Sequence, residues 1–345
     1  MRVVVTVQHP GHVHFFRHAV ADLRERGHEV HVFARENEVA IDLLDAFGID
    51  HEVLAGEADS LLELAGVQAT YEARLLARAR RLDPDVITAI GGVAAAHVAR
   101  AVDARSVVFY DTEHATLIRW LAYPLADVVC TPDCYAGSTL AVGGDHATYP
   151  GYHELAYLHP ERFTPDEGVL DAAGVADAER LVVCRFSGWD SSHDVGEGGF
   201  DDPVEVVERL REAGAAVRLT SETALPPALE AHRLSIAPER MHDLLYYADL
   251  TIGEGATTAA ESALLGTPAV YVNTLSMGYT TELAERYGLL FHYDGPRRHA
   301  RGLERGLDVL EAGDDARWDR RRAAVLADKR DTTDVILRQV LAGAG

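Results

Sequence analysis

Short β-branched runs alternate with amphipathic stretches through the first half of the chain. Strands are predicted at 3–7, 29–34, 49–54, 85–90, 106–110 and 127–130, and helices at 13–26, 38–47, 61–82, 93–102 and 116–122. Pro84 breaks the third helix, since proline cannot continue the helical hydrogen-bond ladder. Strands this short, each followed by a helix, imply parallel βαβ units and a doubly wound sheet.

The pattern thins from 143 to 178, where Gly143-Gly144, Pro150-Gly151, His159-Pro160 and Thr164-Pro165 punctuate the chain. Alternation resumes with strands at 181–186, 216–220, 250–252 and 268–272 and helices at 203–213, 239–248, 257–265 and 279–287. A charged helical tail covers 297–341. The expected organisation is an α/β N-terminal domain over 1–158 and a linker over 159–178. A second α/β domain over 179–330 and a helix over 331–345 that crosses back to the first domain complete it. Doubly wound sheets bind ligands outside the carboxyl ends of their strands, so two such domains are expected to face each other across a ligand-binding cleft.

Composition narrows the class. The 345 residues suit two domains better than one, and 48% hydrophobic content is enough for two cores. No apolar run is long enough for a membrane span, and the short run at 3–7 leads into a His-Pro-Gly turn rather than a cleavage site. A cytoplasmic protein without a transmembrane segment is expected, with peripheral membrane contact left open. A net charge of -23 argues against nucleic acid as partner, because phosphates would meet like charge. Lys329 is the only lysine, and acid excess with so few lysines fits a high-salt, halophilic cytoplasm that screens the repulsion. The three cysteines, Cys130, Cys134 and Cys184, match neither a redox pair nor a zinc site and read as reduced thiols.

Four segments carry candidate chemistry. The loop Gln8-His9-Pro10-Gly11-His12-Val13-His14 follows the first strand. Gly11 permits a tight turn, the helix start offers amides to an anion or a sugar hydroxyl, and His12 and His14 suit acid–base work or hydrogen bonding. Polar turn residues, or a histidine metal site, are the alternatives there. Asp111-Thr112-Glu113-His114 places three ionisable side chains at a strand's carboxyl edge, where a carboxylate could take a hydroxyl proton or simply favour a helix dipole. Gly91-Gly92 ends another strand and admits a ligand or a neighbouring loop. From 248 to 268 a strand enters the turn Gly253-Glu254-Gly255, and a helix follows until Gly266. Thr257 and Thr258 could cap that helix or bind phosphate, and Glu261, on their face, could accept ribose hydroxyls. Glu254 puts a negative charge in this turn, which Arg185 or Arg218 would have to offset. The loop after Arg185 contains Ser187, Gly188 and Trp189 and suits a mobile cover over donor phosphates.

These segments resemble known sequences. Gly11-His12-Val13, 107–114 and 248–268 are similar to the peptidoglycan UDP-N-acetylglucosamine transferase, with Glu261 where those enzymes place a ribose-binding glutamate. His9-Pro10-Gly11-His12-Val13-His14-Phe15-Phe16, Asp111-Thr112-Glu113-His114-Ala115, 152–160 and 185–194 resemble a largely archaeal family of predicted glycosyltransferases. The resemblance spans nearly the whole chain. It implies the GT-B architecture, two Rossmann-like domains, and metal-independent transfer of a sugar from a nucleoside diphosphate donor, UDP type favoured, to an acceptor. Donor contacts would come from Arg185, Ser187, Gly188, Trp189, Gly253, Gly255, Thr257, Thr258 and Glu261. Acceptor contacts and the base would come from Gly11, His12, His14, Asp111, Glu113 and His114. No cofactor beyond the nucleotide-sugar substrate is implied. A UDP-N-acetylglucosamine 2-epimerase-like enzyme is the second reading, although the epimerases' loop motifs are absent, and a nucleotide-sugar-binding protein without turnover is the third.

Overall fold

The computed structural model describes residues 1–58, 60–186, 200, 202–221, 224–313 and 315–342. It divides into two compact α/β units, Met1–Arg162 with Lys329–Gly345, and Phe163–Asp328.

The first unit is built on a seven-stranded sheet. Its strands are β1 (Arg2–Val7), β2 (Glu29–Arg35), β3 (His51–Ala55), β4 (Val86–Ile90), β5 (Arg105–Phe109), β6 (Val128–Pro132) and β7 (Asp145–Tyr149). Their order is β3-β2-β1-β4-β5-β6-β7, and every pairing is parallel. Winding reverses between β1 and β4, which makes the end of β1 a switch point. Val3, Val4, Val5 and Val7 are all buried, as a continuous apolar strand must be when helices cover both faces of a sheet. Helices Leu61–Leu82 and Val93–Val102 pack together on one face, around Tyr71, Leu75, Ala95 and Val98.

The second unit carries β8 (Leu181–Phe186), β9 (Ala216–Ser221), β10 (Leu250–Gly253), β11 (Ala269–Val272) and β12 (Leu290–Tyr293). They lie in the order β12-β11-β10-β8-β9, again all parallel, with the switch point between β8 and β10.

The chain leaves the first unit between Arg162 and Phe163 and re-enters it at Lys329. Residues 163–178, expected as linker, belong to the second unit, where helix Gly168–Ala172 packs on helix Met241–Tyr247. Helix Thr332–Leu341 lies against Pro10–Glu25 and Leu155–Leu158. Thr332 and Thr333 donate their hydroxyls to the Tyr152 and Ala156 carbonyls at 2.6 and 2.7 Å, and Arg162 bridges Asp22, Asp331 and Asp334. Two strands escape the hydrophobic pattern. β7 is a polar sheet edge, with only Tyr149 buried, and β12 is a four-residue edge strand.

Candidate functional site

In the second unit the sequence places a turn and a helix at the switch point. Gly253 of β10 pairs with Arg185 of β8. A Cβ at Gly253 would run into the Arg185 carbonyl, and one at Gly255 would meet the Arg185 side chain at 3.2 Å, so both glycines let the two strand ends close up. Gly255 is the N-cap of helix Ala256–Leu265 and brings no capping side chain. Thr257 and Thr258 therefore lie inside the first turn rather than capping it. Thr257 is exposed and Thr258 buried. Glu261 follows on their face, only 8% exposed, and its Oε1 meets Nε2 of the buried His242 at 2.9 Å.

Glu254 does not face solvent from this turn. It is buried, its Oε1 accepts the Phe200 amide, its own amide donates to the Arg185 carbonyl at 3.0 Å, and its carbonyl accepts from Asn273. Arg218 cannot offset its charge, because Arg218 donates at 2.7 Å to the Ala173 and Gly174 carbonyls that end helix Gly168–Ala172. Arg185, against Gly255, is the cation at the turn. Ser187, Gly188 and Trp189 lie outside the described residues.

In the first unit the loop after β1 is organised by His9. It caps helix Pro10–Glu25 by accepting the Gly11 amide on Nδ1 at 3.1 Å, and its carbonyl accepts the His12 amide at 2.9 Å. With Pro10 carrying no N–H, the helix start that sequence offered to an anion or a sugar hydroxyl is largely satisfied from within. His12 takes the Gln8 amide on Nδ1 at 3.4 Å. His14, two positions on, points to another side of the helix and packs between Phe47 and Tyr157, with ring centroids 5.6 and 5.1 Å away. Gly91 and Gly92 both have positive φ, and a Cβ at Gly92 would sit 2.6 Å from Val108, so packing accounts for that glycine.

Asp111, past the end of β5, meets a partner that sequence reasoning missed. His153 Nδ1 lies 3.0 Å from Asp111 Oδ2, and Thr112 donates to Asp111 Oδ1 at 3.1 Å. Burial pushes the Asp111 carboxyl up, but His153, these hydrogen bonds and His12 outweigh it and hold the group below the usual carboxylate range. His153 is itself buried, and its Nε2 has no hydrogen-bond partner among the described residues. The Tyr149 hydroxyl is likewise buried and without a hydrogen-bond partner among the described residues, and burial with Asp111 nearby raises its phenol well above the usual value. Glu113 and His114 are placed elsewhere in the loop. Glu113 accepts the Ala136 amide at 3.1 Å, and His114 is exposed.

His12 belongs to the Asp111 group. Burial, then His9 and His153, lower it from 6.5 to about 3, against the opposing pull of Asp111 and despite a partly exposed edge. An unfolded histidine binds a proton that folded His12 refuses between these two values. Its contribution to stability is full above about pH 6.5 and is lost as pH falls towards 3. NMR titration of the histidine rings is expected to leave His12 neutral down to about pH 4, and His12→Gln is expected to flatten the acid decline in stability. A His12 titration midpoint near 6.5 contradicts both.

A family model described as "Protein of unknown function (DUF354)" matches residues 1–278. The chain belongs to that family. The uncharacterized protein MJ0665 of Methanocaldococcus jannaschii is 23% identical over 276 residues, covering 75% of this chain and 78% of that protein. Among solved structures, a protein assigned as a UDP-N-acetylglucosamine 2-epimerase of Listeria monocytogenes superposes with a TM-score of 0.71 at 14% identity, over 99% of this chain and 96% of that one. The glycosyltransferase SnogD of Streptomyces nogalater superposes with a TM-score of 0.64 at 17% identity, over the full length of both chains. The family member therefore has the GT-B fold, two Rossmann-like α/β units. None of its described helices is long and apolar enough to cross a membrane.

Proposed function

We propose that the chain is a glycosyltransferase that moves a sugar from a nucleoside diphosphate donor, of UDP type, to an acceptor hydroxyl. The second unit takes the donor: Glu261 receives the ribose hydroxyls, and the uncapped start of helix Ala256–Leu265, with Arg185, faces the diphosphate. A helix start favours an anion by about 0.3–1 kcal/mol when exposed, and by up to about 2 in a partly buried setting. No metal is needed for that stabilisation. The first unit takes the acceptor, with Asp111, His153 and His12 as its acid–base apparatus. The acceptor oxygen bonds to the anomeric carbon as its proton passes to that apparatus, and the bond from the anomeric carbon to the donor phosphate breaks, its electron pair leaving with the diphosphate.

One observation carries this reading. Asp111 lies 3.0 Å from the buried His153, which helps to hold its carboxyl below the usual range, and such a pair suits a group that takes a proton from an acceptor hydroxyl. The epimerase reading is kept because the Listeria protein gives the higher TM-score of the two structures above. A thermal-shift screen of nucleoside diphosphates and their sugars is expected to raise the midpoint most with uridine compounds, as native-state binding does. The best donor is then incubated alone and with an acceptor panel. Product only with an acceptor supports transfer, the 2-epimer from donor alone supports epimerisation, and binding without turnover on either arm sinks both.

A further inference from the structure

Arg35 ends β2, next to the switch point of the first sheet. Its surroundings are unusual for this chain, which carries 55 acidic residues against 32 basic ones. Several other partly buried arginines are fully engaged, while Arg119 shares a buried Nε without a hydrogen-bond partner among the described residues. Arg162 bridges three carboxylates, Arg240 binds Asp166 and Asp243, and Arg218 binds two helix-end carbonyls beside its own strand's Val217 carbonyl. Arg35 makes one long hydrogen bond, from Nη2 to the Gln8 carbonyl at 3.4 Å, and Asn37 already serves that carbonyl at 2.9 Å. Its Nε is buried without a partner, and it has no ion pair among the described residues.

The charged and titratable groups around it explain little of this. Glu57 is the carboxylate that acts on Arg35, at longer range than an ion pair, and its Oε1 is held by the Glu38 amide at 2.9 Å. Tyr71 gives its hydroxyl to the Phe33 carbonyl at 3.0 Å. Arg35 donates to the carbonyl of Gln8, whose amide donates to His12 Nδ1 at 3.4 Å, so the guanidinium lies by the loop after β1, at the switch point. A half-buried cation with an idle N–H loses solvation and gets no protein partner in return. The nearby helix start does not supply an anion site instead, since its Gly11 and His12 amides are taken by His9.

We propose that Arg35 is an anion-binding residue of the first unit, and that the molecule bound beside Asp111 carries a phosphate or carboxylate group. A planar guanidinium with an idle Nε–H suits such an oxyanion. On the proposed function this makes the acceptor an anionic alcohol, its charge on Arg35 and its hydroxyl at the Asp111 group. The second step rests on that reading, whereas the anion site does not.

The test titrates three probes against the protein at low ionic strength, where surface screening is weakest. They are phenyl phosphate, benzoate and the neutral phenyl β-D-glucoside, each with and without saturating UDP, followed by calorimetry. Wild type is expected to prefer the oxyanions to the glucoside with UDP present or absent, and the preferred oxyanion names the group. Arg35→Gln is expected to weaken that oxyanion by about 10–150-fold, as loss of a charged hydrogen bond does. Arg35→Lys is expected to recover part of the loss, and it guards against a folding defect in the glutamine variant. Equal oxyanion binding in wild type and Arg35→Gln, or no preference over the glucoside, overturns the site. Binding abolished by UDP assigns Arg35 to a nucleotide phosphate and overturns the acceptor assignment. UDP failing to bind, with Arg35-dependent oxyanion binding intact, removes the proposed donor site and leaves the anion site standing.

Discussion

Asp111→Asn lowers the rate of sugar transfer by about 10²–10⁴-fold, the range in which a positioned acid–base group contributes, while the donor KM stays close to wild type. The substitution keeps the size of the side chain and an oxygen for the contact with His153 Nδ1, 3.0 Å away in the wild type, but removes the charge. His153→Gln separates chemistry from architecture. Burial alone pushes the Asp111 carboxyl up, and His153 is the first of the groups that bring it down. Without that histidine the carboxyl protonates at higher pH, so the acid limb of the kcat/KM profile moves towards neutral. A group with a depressed carboxyl value also lends stability above its ordinary value and loses it on acidification, so the variant's acid denaturation is expected to begin earlier as well. Initial rates across the pH range for wild type, Asp111→Asn and His153→Gln measure these effects. Transfer by Asp111→Asn at the wild-type rate removes the carboxylate from the chemistry, and an unmoved acid limb in His153→Gln removes the histidine from its control.

Which parts of this site were readable in sequence follows from how far each contact reaches along the chain. The turn Gly253-Glu254-Gly255 was legible because a strand, two glycines and a helix are adjacent, and the backbone crowding that demands glycine there arises from the neighbouring strand end at Arg185. The parallel βαβ order was legible because buried strands are continuously apolar, and the same rule hid β7, a polar edge. His12 and His14 looked equivalent in the motif, although a separation of two on a helix already puts them on different sides. His153 lies within a family motif, but nothing local ties it to Asp111, 42 positions away, which it reaches only once β5, β6 and β7 are assembled in one sheet. His242 finds Glu261 across 19 positions in the same way. Arg35 was silent for a different reason. Its signal is a missing partner, and only coordinates reveal who is not there.

Glu261→Gln raises the donor KM by about 10–150-fold, the loss of a hydrogen bond to a charged acceptor, with a smaller change in kcat. Two roles compete for this carboxylate, ribose recognition and a purely structural pairing with His242, and both predict damage from Glu261→Ala. Leaving a buried polar group without its hydrogen-bond partner costs about 1–3 kcal/mol, so the alanine variant's lower thermal midpoint by itself decides nothing. The glutamine variant keeps a hydrogen-bonding group against His242 Nε2 and should hold most of the stability. His242→Gln completes the comparison. If His242 positions the carboxylate for ribose, its loss raises the donor KM too, and the double variant is no worse than Glu261→Gln alone, because coupled residues do not add. If the pair is only a strut, His242→Gln lowers the thermal midpoint and both single variants leave the donor KM where it was. Donor titrations by calorimetry and melting curves on the same three variants read the two quantities side by side. A midpoint that falls while donor affinity holds puts the ribose elsewhere in the second unit, and the donor assignment fails with it.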